Sequence, residues 1–150
     1  LTRRHNTKGR SRSEGRYLKL HHFMLETLAW RDLNAYARQA YVEIAMVYDG
    51  KNNGFLGMGV RRLAERLNVT EKTAQKAIHE LLSHGFVEVA EESGFNRKDR
   101  KATEFRLTDL LCNRTMAAPS KAYQKWHPGV IEAANDAAAK PAPKPARRAA

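Results

Sequence analysis

Between positions 71 and 79 the chain sets out Glu71, Lys72, Thr73, Gln75, Lys76 and His79, broken by Ala74, Ala77 and Ile78. With Ala74, Ile78, Leu81 and Leu82 turned inward at helical spacing, those six polar side chains share the open side of one helix. Their chemistry is hydrogen bonding to base edges. A glutamine amide fits adenine in bidentate fashion, and a lysine donates to guanine N7 and O6 or to a phosphate. Threonine meets a thymine methyl or a phosphate, and Glu71, though repelled by phosphate, can accept from a cytosine amine. Any amphipathic helix leaves a solvated polar face, so the neighbouring residues must decide between the two readings.

Those neighbours are basic. Arg61, Arg62 and Arg66 precede the polar run on a helix of their own and suit phosphate contacts that position without reading bases. Pairing with a nearby acid is the other reading of Arg66. Downstream, Arg97, Lys98, Arg100 and Lys101 flank Asp99 within five positions, which suits a backbone or minor-groove contact from a protruding loop. Glu91 and Glu92, just ahead, would be unfavourable near phosphate, so the duplex is expected to meet only residues from Asn96 onward. At the start of the chain Arg3, Arg4, Lys8, Arg10, Arg12 and Arg16 form a basic arm.

The net charge of +11 is unevenly placed. Residues 1–16 hold six Arg/Lys against one Glu, and residues 111–150 hold seven against two acids. The stretch between them has fourteen basic and thirteen acidic residues, so attraction to a polyanion is concentrated at the ends.

Catalytic and metal patterns do not form. His21 and His22 are adjacent and cannot share a helical face as the ligands of an H-E-x-x-H motif do, and neither His79 nor His84 has a cysteine or clustered carboxylate nearby. There is no phosphate-binding Walker loop, no GxGxxG after a strand and no GxSxG. The lone Cys112 makes no intramolecular bridge and is expected as a small apolar residue near the end of the fold. An enzyme, a cofactor, a metal and a small-molecule effector are therefore not expected. No run approaches the about 18 apolar residues of a membrane span, and a cytoplasmic, nucleoid-associated location is expected.

The elements that must position these residues follow from periodicity. Residues 1–16 have no apolar period and are expected to be disordered. Phe23 to Trp30 forms an apolar cluster, a short helix or turn. Asn34 then caps a helix to about Tyr48, with Ala37, Ala40, Tyr41, Ile44, Val47 and Tyr48 on its apolar face and Arg38, Gln39 and Glu43 away from it. Asp49 to Gly54 is a turn, and Phe55-Leu56 a short strand. A helix over 60–67 starts from the weak cap Gly59, Asn68-Val69-Thr70 turns the chain, and Thr70 caps a second helix over 71–83 that Gly85 stops. Phe86, Val87 and Val89 begin a strand, 91–103 is the hairpin tip, and 104–108 returns with Phe105 and Leu107 on one side. Tyr123 and Trp126 belong to a short docked helix. The expected organisation is a basic arm 1–16, a domain 17–111, a helical extension 112–139 and a Pro/Ala/basic tail 140–150.

The text from Val60 to Thr108, with "YDGKNNGFLGMG" before it, resembles a winged helix-turn-helix domain, mostly α with a small β-hairpin. It is similar to small regulators and replication-initiator-like proteins of bacterial plasmids, phages and mobile elements. The resemblance implies that helix 71–83 reads the major groove of double-stranded DNA and that the wing, 91–103, touches the flank. A transcriptional regulator, repressor or activator, is the leading expectation, bound as a homodimer through the Asn34–Tyr48 helix or the Tyr123–Trp126 region. A replication initiator or origin-binding protein is the alternative, and an architectural or protein-docking nucleoid module a third.

Overall fold

The computed structural model describes residues 16–96 and 99–129. Arg3, Arg4, Lys8, Arg10 and Arg12 of the arm, Arg97 and Lys98 of the hairpin tip, and the segment from 130 onward lie outside the described residues, as does the side chain of Arg100. Among the described residues the helices are α1 (His22–Leu25), α2 (Leu28–Asp32), α3 (Ala35–Ala45), α4 (Val60–Leu67) and α5 (Glu71–Ser83). The strands are β1 (Leu56–Gly57), β2 (Val87–Glu91), β3 (Phe95–Asn96), β4 (Asp99–Arg100) and β5 (Glu104–Leu107), and a 3-10 turn spans Ala122–Lys125.

Among the described residues the domain is mixed, five helices with a small three-stranded antiparallel sheet, so the β part is larger than the small hairpin expected of a mostly-α fold. β5 runs antiparallel between β1 and β2, and Leu56 joins the sheet opposite Phe105. The short Phe55-Leu56 run therefore does supply the hairpin's third strand. The hairpin tip carries a small antiparallel pair of its own, β3 with β4.

Local chemistry explains the breaks. The apolar cluster at 23–30 splits in two because Thr27 caps α2, its Oγ1 accepting from the Trp30 amide at 3.2 Å. Asn34 caps α3 in the same way, accepting from the Ala37 amide at 2.8 Å. Its own amide donates to Glu80 of α5 at 2.7 Å, so the start of α3 is tied to the helix beneath it. α3 ends at Ala45 rather than near Tyr48, tightening into i+3 bonds from the Val47 and Tyr48 amides.

One face assignment on α3 is corrected. Glu43, expected on the outer side, is buried. Its carboxylate pairs with the Arg66 guanidinium of α4, and that charge makes its burial tolerable. Arg38 is also drawn in, donating to the carbonyls of Trp30 and Arg31 at the end of α2. Ala37, Ala40, Tyr41 and Ile44 are buried as expected, whereas Val47 and Tyr48 are only partly so.

Gly85 ends α5 at φ +77°, with the Phe86 amide reaching back to the Leu81 carbonyl at 3.0 Å. It has a second task. A Cβ there would stand 2.8 Å from the backbone of Ala122 and Tyr123, so the 3-10 turn can lie directly on it. Tyr123 then stacks on Phe86 with ring centres 5.0 Å apart, and Trp126 on His84 at 4.4 Å. Both rings are buried within the chain's own fold. Among the described residues no helix is long and apolar enough to cross a membrane.

Candidate nucleic-acid interface

α4 and α5 are joined by three residues. Asn68 takes the left-handed conformation, φ 53°, which asparagine tolerates better than most, and the Val69 amide returns to the Ala64 carbonyl at 3.0 Å. Thr70 then caps α5, its Oγ1 accepting from the Thr73 amide at 3.3 Å. The turn is tight because each end has its own stop signal. α4 itself starts from Gly59 without a side-chain cap, as its sequence predicts.

α5 sorts its side chains sharply. Ala74, Ala77, Ile78 and Leu81 are buried against the core, while Glu71, Lys72, Gln75, Lys76 and His79 are exposed. α5 packs on both α3 and α4, and the small Ala74 and Ala77 are on its buried face. Thr73 differs from the rest of its group: it is half-buried, with its hydroxyl 3.0 Å from that of Thr70, so it belongs to the helix cap.

The three arginines of α4 separate as well. Arg61 and Arg62 are exposed, Arg61 lying 3.3 Å from Glu65 one turn on, an ion pair too solvated to hold it. Arg66 takes the other of its two readings and is engaged by buried Glu43. Arg16, the one arm residue within the described range, is exposed and reaches the Tyr48 carbonyl at 3.5 Å.

Where the first turn of α4 faces the base of the hairpin, an open groove forms. Gly57 and Gly59 give it a floor without side chains, and Arg61, Arg62 and Lys101 stand around it with Ser93 and Gly94. Lys101 lies 2.9 Å from Glu91 and 3.5 Å from Glu104. Glu91 and Glu104 face one another across β2 and β5, and Arg114 bonds to both. Hydrogen bonds from Lys101 and then Arg114 hold the Glu91 carboxyl below its usual range, and the Glu91 bond raises the Lys101 ammonium above its own. Of the two acids ahead of the hairpin tip, Glu91 is thus compensated from within the fold, whereas Glu92 is exposed.

Arg114 and its support went unseen in the sequence. Asn53, read as part of a turn, is fully buried: its Oδ1 accepts from the Leu107 amide at 2.7 Å and its Nδ2 faces the carbonyls of Leu107, Leu110 and Leu111. No periodicity marks such a hub. His84 is another, buried with Nε2 2.8 Å from Asp32 and Nδ1 2.8 Å from the Glu80 carbonyl, so both ring nitrogens are engaged within the fold. Among the described residues no group of three His, Cys, Asp or Glu could hold a metal ion.

No protein-family model matches this chain, and neither a curated protein nor a solved structure matches it.

Proposed function

We propose that this chain is a sequence-specific double-stranded DNA-binding protein of the winged helix-turn-helix type, acting at the nucleoid as a transcriptional regulator. The observation that carries this is the sorting on α5. One face is sealed into the core, and the other offers Lys72, Gln75, Lys76 and His79 to solvent. A helix so held is rigid enough to lie in a major groove and carries the donors and acceptors that read base edges. The element order α3–β1–α4–turn–α5–β2–hairpin–β5, with β5 central in the sheet, supports the winged form. Arg61, Arg62 and Lys101 around the groove supply phosphate contacts beside the reading helix. The want of a catalytic motif favours regulation, with the protein as a homodimer on a two-fold site.

Selection of bound fragments from a random duplex library, followed by footprinting of the best site, tests it. An inverted repeat is the expected outcome. Iterated direct repeats would replace regulation with replication initiation, and binding without sequence preference would leave an architectural role.

A further inference from the structure

We infer that Arg114 is the positioning residue of the hairpin: it carries the two carboxylates at the hairpin's base, Glu91 and Glu104, and leaves Lys101 able to exchange them for a DNA phosphate. The exchange rests on the DNA-binding reading; the hold on the hairpin does not.

Glu91 and Glu104 are cross-strand partners, beside the irregularity that follows Val89. Like charges placed opposite in an antiparallel pair destabilise it, so the hairpin's base needs a cation. Two are present, and they differ in kind. Arg114 comes from outside the hairpin and is locked: its Nε donates to the Gly54 carbonyl at 2.9 Å and its guanidinium lies 4.2 Å from the centre of the Phe55 ring. Its neighbour Asn113 exchanges two hydrogen bonds with Asn53, at 2.8 and 3.0 Å. Gly54 leaves room for it, since a Cβ there would meet the Arg114 Cβ at 3.0 Å. The two remaining arms of the fork then reach one carboxylate each.

Lys101 is the opposite, a flexible ammonium whose side chain is 44% exposed and which lines the groove with Arg61 and Arg62. The carboxylate lining the groove itself is Glu65; without Arg114, a phosphate that drew Lys101 away would leave Glu91 and Glu104 uncompensated beside it. With Arg114 in place they remain partnered when Lys101 turns away.

Three variants test this: R114Q, K101Q, and R114Q combined with E91Q and E104Q. In the free protein, amide hydrogen exchange over 87–107 should quicken in R114Q by about tenfold while α5 keeps its protection. On the selected duplex, R114Q should bind about tenfold more weakly, through carboxylates left bare beside phosphate. The triple variant, which removes the repulsion along with the cation, should return to within about threefold of the unaltered protein. K101Q should lower the slope of log affinity against log salt by about 0.9, one phosphate contact. A triple variant that folds but does not regain binding, or an unchanged slope in K101Q, overturns the exchange, and unchanged hydrogen exchange in R114Q overturns the hold. If R114Q does not fold, the triple variant decides alone by the same criterion. Failure of the unaltered protein to bind any duplex sinks the DNA reading instead, and the exchange measurement still judges Arg114.

Discussion

Replacing Lys72 and Gln75 together with alanine should erase much of the preference for the selected site while leaving the fold intact. Both side chains are exposed on α5, so their loss opens no cavity. They stand three residues apart, about 4.5 Å along the axis at 1.5 Å per residue. That is close to the step between stacked base pairs, about 3.4 Å per strand, so each would meet its own pair. A good bidentate base contact is worth about 1–3 kcal/mol of discrimination. If the two act independently, the ratio of specific to non-specific affinity should fall by roughly 30-fold at least, and by up to about 10⁴-fold. Fluorescence anisotropy on the selected duplex and on a scrambled duplex, at one salt concentration, measures that ratio directly. Non-specific affinity should fall far less, by the worth of one lysine at most. An unchanged ratio with an unchanged melting temperature would refute the assignment of α5 as the reading element.

Arg66→Ala should destabilise the domain by about 1–3 kcal/mol in urea unfolding, because it strands the buried Glu43 carboxylate; the lower end of that range allows for the arginine's own partial exposure. Gly85→Ala should cost more than Gly50→Ala. Both need positive φ, but the Gly85 Cβ would also strike the backbone of Ala122 and Tyr123, whereas nothing lies within 4 Å of Gly50; thermal melts rank them. Burial pushes the Tyr123 phenol up to about 12 and raises Tyr41 well above its usual 10, so both contribute stability that is complete below pH 10. That stability is lost as pH rises from 10 through the folded-state values, as the unfolded chain releases protons that the fold retains. Tyr123→Phe should soften the alkaline loss and stabilise slightly near neutrality, since the hydroxyl is buried without a partner among the described residues; unfolding at pH 7, 10 and 11 checks both. Removing residues 1–16 should weaken binding to every duplex alike and flatten the salt dependence, read as the slope of log affinity against log salt.

What the sequence disclosed was what local chemistry determines. Thr70, Asn34 and Gly85 mark helix ends because a hydroxyl, an amide oxygen or a missing Cβ satisfies a terminus, and all three do so in the fold. The inner face of α5 and the shared side of Phe105 and Leu107 on β5 were legible because periodicities of 3.6 and 2 survive folding. Hidden from that reading were contacts between distant segments. Glu43 looks like a solvent-facing residue until Arg66, 23 positions on, is folded against it. Asn53 looks like a turn residue until β5 closes over it. Arg114 fell in a stretch without pattern, and its role exists only where three segments meet.

The arrangement of charge has a consequence for how selectivity and attraction divide. Residues 17–110 are almost neutral, with fourteen basic side chains against thirteen acidic. Among those basic groups Arg66 is engaged within the fold by Glu43 and Arg106 by Glu88, while Arg114, from beyond that stretch, takes Glu91 and Glu104. A domain so balanced gains little from any polyanion unless its shape fits, because counterion release scales with the phosphates it can actually neutralise. On the DNA-binding reading, the face of α5 and the groove beside it must supply discrimination, and the basic ends must supply the pull. A body rich in unpaired lysine would bind tightly everywhere and choose poorly. Near balance of charge, with part of it paired internally, keeps the specific site from being drowned by the non-specific ones.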